Sequence, residues 1–150
     1  MEVLEKLKLN KQYLGNYYYL FVLQYRSGCR ITEALNITAN DLSSEGMILI
    51  KGLKGSEDRI IHVTELEQLV WKSKATGRNL FYSMNRFTAY RLLKSVGVQK
   101  LKGGRKRESV THIFRDIHAK NIRSITTNEK VLSQELGHKN INNIKYYGND

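Results

Sequence analysis

The sequence predicts an α+β fold that is mainly α-helical and carries a small antiparallel β-sheet. Apolar residues follow helical patterns over most of the chain, and only two short apolar runs, on either side of a glycine-rich polar segment, suit a β-hairpin. The 150 residues contain no proline, no Ser/Gly-rich linker and no repeat at a fixed period. We therefore expect one domain, large enough to bury roughly 70% of its unfolded surface.

The first predicted helix is the most apolar part of the chain. Apolar residues occupy almost every position of residues 13–25, which indicates a largely buried helix. Ser27-Gly28 ends this helix with residues that favour a turn. Arg30 then opens a short helix that runs through Leu35.

The hairpin is the only sheet that the sequence pattern predicts. Residues 47–50 and 59–63 are short β-branched or apolar runs, and the polar segment 51–58 joins them.

Two further helices follow the hairpin. Thr64, with Glu67 three residues later, resembles a capping box for a helix to about residue 74. Residues 80–82 suit a short strand, and residues 85–96 show a second helical pattern.

The remaining part of the chain is predicted to be helical after a basic segment. Ser109 or Thr111 can cap a helix to about residue 125, Thr127 or Asn128 another that ends at Gly137, and Asn140 a last one that reaches Tyr146 and Tyr147.

The charge of the chain points to a polyanionic partner. There are 25 Lys and Arg against 14 Asp and Glu, a net charge of +11. Nucleic acid, anionic membrane and acidic protein are all attracted by such an excess. The densest basic cluster includes two glycines and suits a mobile loop that could straddle a phosphate backbone. It consists of Lys100, Lys102, Arg105, Lys106 and Arg107.

Several function classes are disfavoured by composition. The longest apolar stretch, residues 17–23, is far shorter than the ~20 residues of a membrane span, and no export signal is visible. The single Cys29 cannot form an intramolecular disulfide, which fits a reducing compartment. The four histidines lack the spacing of a zinc helix. We expect a soluble intracellular protein without a metal cofactor.

Polar residues at predicted turns and helix starts form the candidate site. Each of them alone is more often a solvated or structural side chain than a catalytic one. His112 and Arg115, three apart on one helical face, could reach the same anion. The set comprises Arg30, Lys54, His112, Arg115 and His138, followed by Tyr146 and Tyr147.

The order of these residues resembles the tyrosine recombinases, or phage-type integrases, whose catalytic core is shared with type IB topoisomerases. Residues 27–35, SGCRITEAL, resemble the motif of the first arginine, and residues 51–63, KGLKGSEDRIIHV, resemble the hairpin of the catalytic lysine. His112-Ile-Phe-Arg115 matches the His-x-x-Arg box, and residues 136–138, LGH, match the Leu-Gly-His box. Tyr147 lies nine residues after His138, where the family has its nucleophile.

The resemblance implies a role for each of these residues. Arg30 and Arg115 would stabilise the phosphorane with permanent positive charge and paired N–H donors. Lys54 would protonate the 5′-oxygen leaving group. His112 would assist proton movement from the tyrosine, and His138 would donate to a phosphate oxygen. Tyr147 would form a 3′-phosphotyrosyl bond, so neither ATP, a nicotinamide nor a metal is expected.

Two positions remain open, and two depart from the family. Lys51 or Lys54 could supply the hairpin lysine, with Lys54 favoured by its distance from the second strand. Tyr146 is the alternative to Tyr147, which is favoured by spacing. Many members have His or Ser where this chain has Asp116, and a small or apolar residue where it has Cys29. We expect Lys51 and the basic cluster 100–107 to bind DNA.

Two other function classes compete with the recombinase. A metal-dependent nuclease or transposase would need clustered carboxylates, but the acidic residues are scattered, and only Glu57 and Asp58 are adjacent. A non-catalytic helical DNA-binding module would bind phosphates without breaking them. Only formation of a covalent adduct separates this module from the enzyme.

The resemblance also implies a domain organisation and partners. Full tyrosine recombinases generally have an additional helical N-terminal domain, so we expect residues 1–150 to be the catalytic domain alone. The expected partners are double-stranded DNA and, in a tetramer assembled on DNA, other copies of the protein. Without DNA we expect a monomer with a mobile terminal helix over residues 140–147, in the cytoplasm and of prokaryotic or viral origin, with integration of a mobile element as the preferred role.

Overall fold

The computed structural model describes residues 2–98 and 112–125, and within them the fold is mainly helical with one two-stranded antiparallel sheet. The predicted fold class is confirmed. The helices are α1 (Val3–Leu9), α2 (Lys11–Leu14), α3 (Tyr17–Ser27), α4 (Ile31–Leu35), α5 (Glu67–Thr76), α6 (Arg86–Ser95) and α7 (Ile113–Ile125). The strands are β1 (Met47–Ile50) and β2 (Arg59–His62), and 3-10 turns cover Ala39–Asp41 and Thr64–Leu66.

Helix α3 forms the centre of the core. Most of its side chains are buried, as the uninterrupted apolar pattern predicts. Phe21 of α3 stacks on Phe114 of α7, with ring centroids 5.8 Å apart and an interplanar angle of 19°. This contact fixes α7 against the helix that leads into the Arg30 segment.

The predicted helix over residues 13–25 is wrong at its beginning. Helix α2 ends at Leu14, and α3 starts only at Tyr17. Gly15 lies between them with φ 58° and ψ −136°, a conformation that glycine adopts far more readily than other residues and that no helix can contain. The predicted end at Ser27-Gly28 is confirmed.

The hairpin is confirmed, with strands at 47–50 and 59–62. Met47 pairs with His62 and Ile50 pairs with Arg59. On β1, Ile48 and Ile50 are buried. This alternation of buried residues shows that one face of the hairpin packs on the core. The connecting segment 51–58 lies at the end of the hairpin.

Two local predictions after the hairpin are wrong. Thr64 and Glu67 form no capping box, because Thr64 lies in a 3-10 turn and Glu67 Oε1 is 3.1 Å from His62 Nε2 instead. Residues 80–82 form turns rather than a strand. Leu80 and Phe81 are both buried, whereas a strand would direct neighbouring side chains to opposite faces.

The later helical predictions are confirmed where the structure describes them. Asn85 caps α6, its Oδ1 accepting a hydrogen bond from Thr88 N at 2.9 Å. Helix α7 ends at Ile125, as predicted. The helices predicted after residue 126, and the caps at Ser109 and Thr111, lie outside the described residues. Among the helices described here, none has the length and apolar character needed to cross a bilayer.

Candidate active site

Arg30 is positioned by the turn that ends α3. Gly28 adopts a left-handed conformation, with φ 70° and ψ 13°, and its N–H donates to Gln24 O at 2.8 Å. The hydroxyl of Ser27 donates to Leu23 O at 2.7 Å and accepts from Cys29 N at 3.1 Å. These contacts place Arg30 directly before α4, with extended backbone angles.

Glu33 joins this turn to the hairpin. Its side chain is completely buried, and its Oε1 accepts a hydrogen bond from Arg30 N at 2.7 Å. Its Oε2 accepts from Leu53 N, in the loop after β1, at 3.0 Å. The guanidinium groups of Arg30 and Arg59 each lie 3.8 Å from a Glu33 oxygen. The carboxylate of Glu33 therefore connects the turn at residues 27–30, which we call the arginine turn, with the hairpin loop and β2.

Lys54 lies in a tight turn at the end of the hairpin. Ser56 N donates to Leu53 O at 3.0 Å, and Lys54 and Gly55 both have positive φ, at 53° and 84°. Positive φ at both central residues is the signature of a type I′ turn. The backbone of Gly52 packs so closely on the Ser56 carbonyl that an added Cβ would lie 2.1 Å from its oxygen. The exposed Lys54 side chain thus projects from a turn whose backbone is tightly held.

The guanidinium of Arg30 docks on this same turn. Arg30 Nη1 donates to Leu53 O at 3.4 Å and to the hydroxyl of Ser56. The Arg30 side chain is 14% exposed, so it is partly accessible beside the turn. Arg30 and Lys54, which are 24 positions apart in the sequence, are thereby brought to one place.

Arg115 reaches the arginine turn from α7. It is fully buried, and its Nη1 donates to Gly28 O at 2.8 Å. His118, one turn further along α7, packs under Gly28, where an added Cβ would lie 2.6 Å from the imidazole ring. His112 is partly buried and comes directly before the first residue of α7. Arg115 therefore contacts the backbone only two residues before Arg30, so the two arginines of the predicted set are held at the same turn.

The sequence profile described as the phage integrase family matches residues 2–150. The chain belongs to the phage integrase family.

Known proteins similar to this phage integrase family member include a regulatory protein and recombinases of known structure. The chain is 26% identical to the type 1 fimbriae regulatory protein FimE of Escherichia coli K12, in an alignment that covers 87% of this chain and 72% of FimE. Solved structures that are similar to this chain include XerA recombinase, with a TM-score of 0.71 and 19% identity, over 98% of this chain and 56% of XerA. XerH bound to its difH substrate gives a TM-score of 0.68 at 20% identity, with coverage of 98% of this chain and 48% of XerH.

These comparisons confirm the resemblance found in the sequence and the fold of the catalytic core. The chain spans about half the length of the solved recombinases that it matches.

The structure of this integrase family member describes only part of the predicted site. It brings Arg30, the Lys54 turn and Arg115 together, and it places His112 at the start of the helix that carries Arg115. His138, Tyr146, Tyr147 and the basic residues Lys100, Lys102, Arg105, Lys106 and Arg107 lie outside the described residues.

Lys51, the alternative to Lys54, has a different environment. Its Nζ lies 3.2 Å from Asp41 Oδ1, and its side chain is 60% exposed. Burial raises the pKa of Asp41, but the hydrogen bonds from Thr38 and Lys51 outweigh this and hold the pKa below its usual value. Lys51 is therefore paired with a carboxylate that remains charged, and it lies before the turn that contacts Arg30.

Three residues of the site were not singled out by the sequence: Glu33, Ser56 and Arg59. Glu33 could have been found, because a glutamate three residues after the residue that precedes a helix can accept the backbone N–H of that residue, and Glu33 accepts from Arg30 N in this way. Ser56 and Arg59 act across long sequence separations, which leave no local pattern.

Proposed function

We propose that this chain is the catalytic part of a site-specific DNA recombinase, which cleaves and rejoins DNA through a covalent 3′-phosphotyrosyl intermediate. The observation that carries this proposal is the docking of the Arg30 guanidinium on the turn that presents Lys54. A fixed guanidinium beside an exposed amine suits a reaction in which a phosphate is held and its leaving group receives a proton.

The two arginines would hold the scissile phosphate. Arg30 uses Nη1 for the turn, and its Nε and Nη2 donate no hydrogen bond within the described part of the chain. Those two atoms form one edge of the guanidinium and match the spacing of two phosphate oxygens. Arg115, tied to Gly28, would add a second permanent charge at the same turn. Loss of one such charged donor costs about 10²- to 10³-fold in rate.

The reaction would proceed by in-line displacement at phosphorus. The phenolic oxygen of Tyr147 forms a bond to phosphorus, and its proton passes to His112. The bond from phosphorus to the 5′-oxygen breaks, and Lys54 supplies the proton that this oxygen requires. His138 would donate to a non-bridging oxygen. Rejoining is the reverse sequence, with a 5′-hydroxyl as the nucleophile, so the phosphodiester energy is conserved in the intermediate.

The geometry favours Lys54 over Lys51 for the proton transfer. Lys54 belongs to the four-residue turn that Arg30 contacts, whereas Lys51 is engaged by Asp41. The charge of Lys51, with the basic cluster 100–107, would instead attract the phosphates that flank the cleavage site.

DNA and further copies of the protein are the proposed partners. XerH has been solved bound to its difH substrate and the Tn1549 integrase in complex with transposon right end DNA, and the net charge of +11 of this chain suits the same kind of ligand. We propose that double-stranded DNA is the substrate and that four copies assemble on two DNA sites, with a monomer in the absence of DNA. The protein would then act in the cytoplasm, on bacterial or mobile-element DNA.

Covalent trapping on a nicked suicide substrate in EDTA tests the proposal. We expect a protein–DNA band on a denaturing gel that is lost with Tyr147→Phe and retained with Tyr146→Phe. Tyr82→Phe, which removes a hydroxyl from an exposed tyrosine of the described fold, is the control and should leave the band intact.

Each other outcome of this experiment has a defined meaning. Loss with Tyr146→Phe alone would keep the chemistry and move the nucleophile by one residue. Salt-sensitive binding without any adduct, even when the chain is fused to the N-terminal domain of a relative, would identify a non-catalytic DNA-binding module and reject the enzyme.

A further inference from the structure

Ser56 contacts the Arg30 guanidinium through its side chain. It is the last residue of the Lys54 turn and is 4% exposed. Its hydroxyl accepts a hydrogen bond from Arg30 Nη1, the same nitrogen that donates to Leu53 O at 3.4 Å and lies 3.8 Å from Glu33 Oε2. All three contacts are therefore made at one end of the guanidinium.

This arrangement fixes the direction of the remaining donors. A guanidinium is planar and rigid, so holding Nη1 on the turn largely determines where the Nε–Nη2 edge points. Because the same residue closes the turn through Ser56 N and Leu53 O, the orientation of Arg30 is set relative to Lys54. We propose that Ser56 is a positioning residue, which orients the Arg30 guanidinium toward the phosphate and fixes its position relative to Lys54.

Glu33 does not orient the Arg30 guanidinium in this way. Its two oxygens already accept short backbone hydrogen bonds, from Arg30 N and Leu53 N, and its distance from the guanidinium is longer than a hydrogen bond. A neutral hydroxyl also orients the guanidinium without neutralising it, so the positive charge of Arg30 remains available to the phosphate. A carboxylate in direct contact would compete with that anion.

The inference rests on the proposed recombinase activity, and Ser56→Ala tests it. We expect single-turnover cleavage of the suicide substrate, at saturating protein, to slow by about 10- to 100-fold, because small displacements of a positioned group have effects of this size. The affinity for DNA should stay within about twofold, since many other phosphate contacts contribute to DNA binding. Ser56→Thr, which keeps the hydroxyl, should restore most of the rate.

Two controls separate positioning from general loss of structure. Ser73→Ala removes another buried hydroxyl, which lies on α5 and donates to Arg78 O, and should leave the cleavage rate unchanged. In an Arg30→Lys background, Ser56→Ala should cause little further loss, because the group that it orients is gone. An equal loss in both backgrounds would overturn the inference.

A second measurement does not depend on cleavage. In protein labelled with ¹⁵N-arginine, the Nε–H signal of Arg30 is assigned by its absence in Arg30→Lys and followed during titration with inorganic phosphate. We expect Ser56→Ala to weaken the response to phosphate severalfold, and Ser73→Ala to leave it unchanged.

The two measurements distinguish the inference from the function on which it rests. If the native chain forms no adduct but Ser56→Ala still weakens phosphate binding at Arg30, the recombinase proposal fails and the positioning role stands. If Ser56→Ala cleaves at the native rate, or leaves the phosphate response unchanged, the positioning role is rejected.

Discussion

Lys54 occupies a backbone conformation that residues with a side chain rarely adopt. Its φ is 53°, and it is followed by Gly55 at 84°. The left-handed region costs a lysine roughly 1 kcal/mol, and such costs are often found at functional sites. Asparagine tolerates this region, and Asn-Gly is the favoured pair for a type I′ turn. A residue chosen for stability alone would therefore not be lysine.

Lys54→Asn should stabilise the protein while removing the proposed proton donor. We expect the free energy of unfolding to rise by about 0.5 to 1 kcal/mol, because the strain at this position is relieved. Cleavage of the suicide substrate should be lost. Urea unfolding and the trapping gel measure the two effects.

Gly55→Ala is the matched change at the next position. Nothing lies within 4 Å of its added Cβ, so only backbone strain acts, and we expect a loss of about 1 kcal/mol. A Lys54→Asn protein that is less stable than the native chain would show that the lysine side chain makes a stabilising contact which outweighs its strain.

At the scale of elements, the junction of α3 and α7 holds the two arginines together. Gly28 ends α3 with its carbonyl on Arg115 and its Cα against His118, while Phe21 stacks on Phe114. A change in the spacing of the two helices would therefore change the distance between Arg30 and Arg115.

Gly28→Ala tests this junction, and Gly77→Ala is its control. Gly77 ends α5 with φ 72° and ψ 10°, nearly the conformation of Gly28, but nothing lies within 4 Å of its added Cβ. We expect Gly77→Ala to cost about 1 kcal/mol of stability from backbone strain alone. Gly28→Ala should cost about 2 kcal/mol more, because its Cβ overlaps the His118 ring.

The two glycine variants should also differ in activity. Displacement of α7 moves Arg115, so Gly28→Ala should slow cleavage strongly, whereas Gly77→Ala should cleave at the native rate. Denaturant titrations and single-turnover assays provide the comparison. Equal losses of stability in the two variants would mean that His118 moves aside freely.

The elements with local signals in the sequence were predicted correctly. The Arg30 helix follows Ser27-Gly28, and the hairpin is marked by two apolar runs around a glycine-rich segment. Predictions were wrong where a tertiary contact replaced a local one. Glu67 lies against His62 instead of capping its own helix, and Leu80 and Phe81 are both buried in turns.

The connections of the candidate site could not be predicted from the sequence. Motif order predicts that Arg30, Lys54 and Arg115 belong to one site, and the structure brings the segments that carry them together. The contact between Arg30 and Ser56 joins positions 26 apart, and that between Arg115 and Gly28 joins positions 87 apart. No periodicity or spacing reports a contact at such a separation, so these connections required the fold.

At the scale of the whole molecule, Cys29 reports on the integrity of the core around the site. It lies between Gly28 and Arg30, is 1% exposed and is a free thiol. Burial raises the pKa of Cys29 to about 11, although a hydrogen bond from Ser27 and the charges of Arg59 and Arg115 act in the opposite direction. The thiolate forms readily only when the chain unfolds, with a pKa near 9.0.

This difference in pKa predicts how stability changes at alkaline pH. The unfolded chain releases the Cys29 proton above about pH 9 while the folded chain retains it, so this thiol makes the free energy of unfolding fall as pH rises. We expect its contribution to fall by about 1 kcal/mol between pH 8 and pH 10. Cys29→Ala removes this titration but keeps every other group, including Tyr18, whose pKa burial also raises.

The native chain and Cys29→Ala should therefore converge in stability as pH increases. At neutral pH the native chain is more stable, because alanine leaves a small cavity. Urea unfolding of both proteins from pH 7 to pH 10 measures the difference, in which the titration of all shared groups cancels. If the two curves run parallel, the thiol is accessible to water in the folded state, and the core that supports Arg30 is more open than its burial indicates.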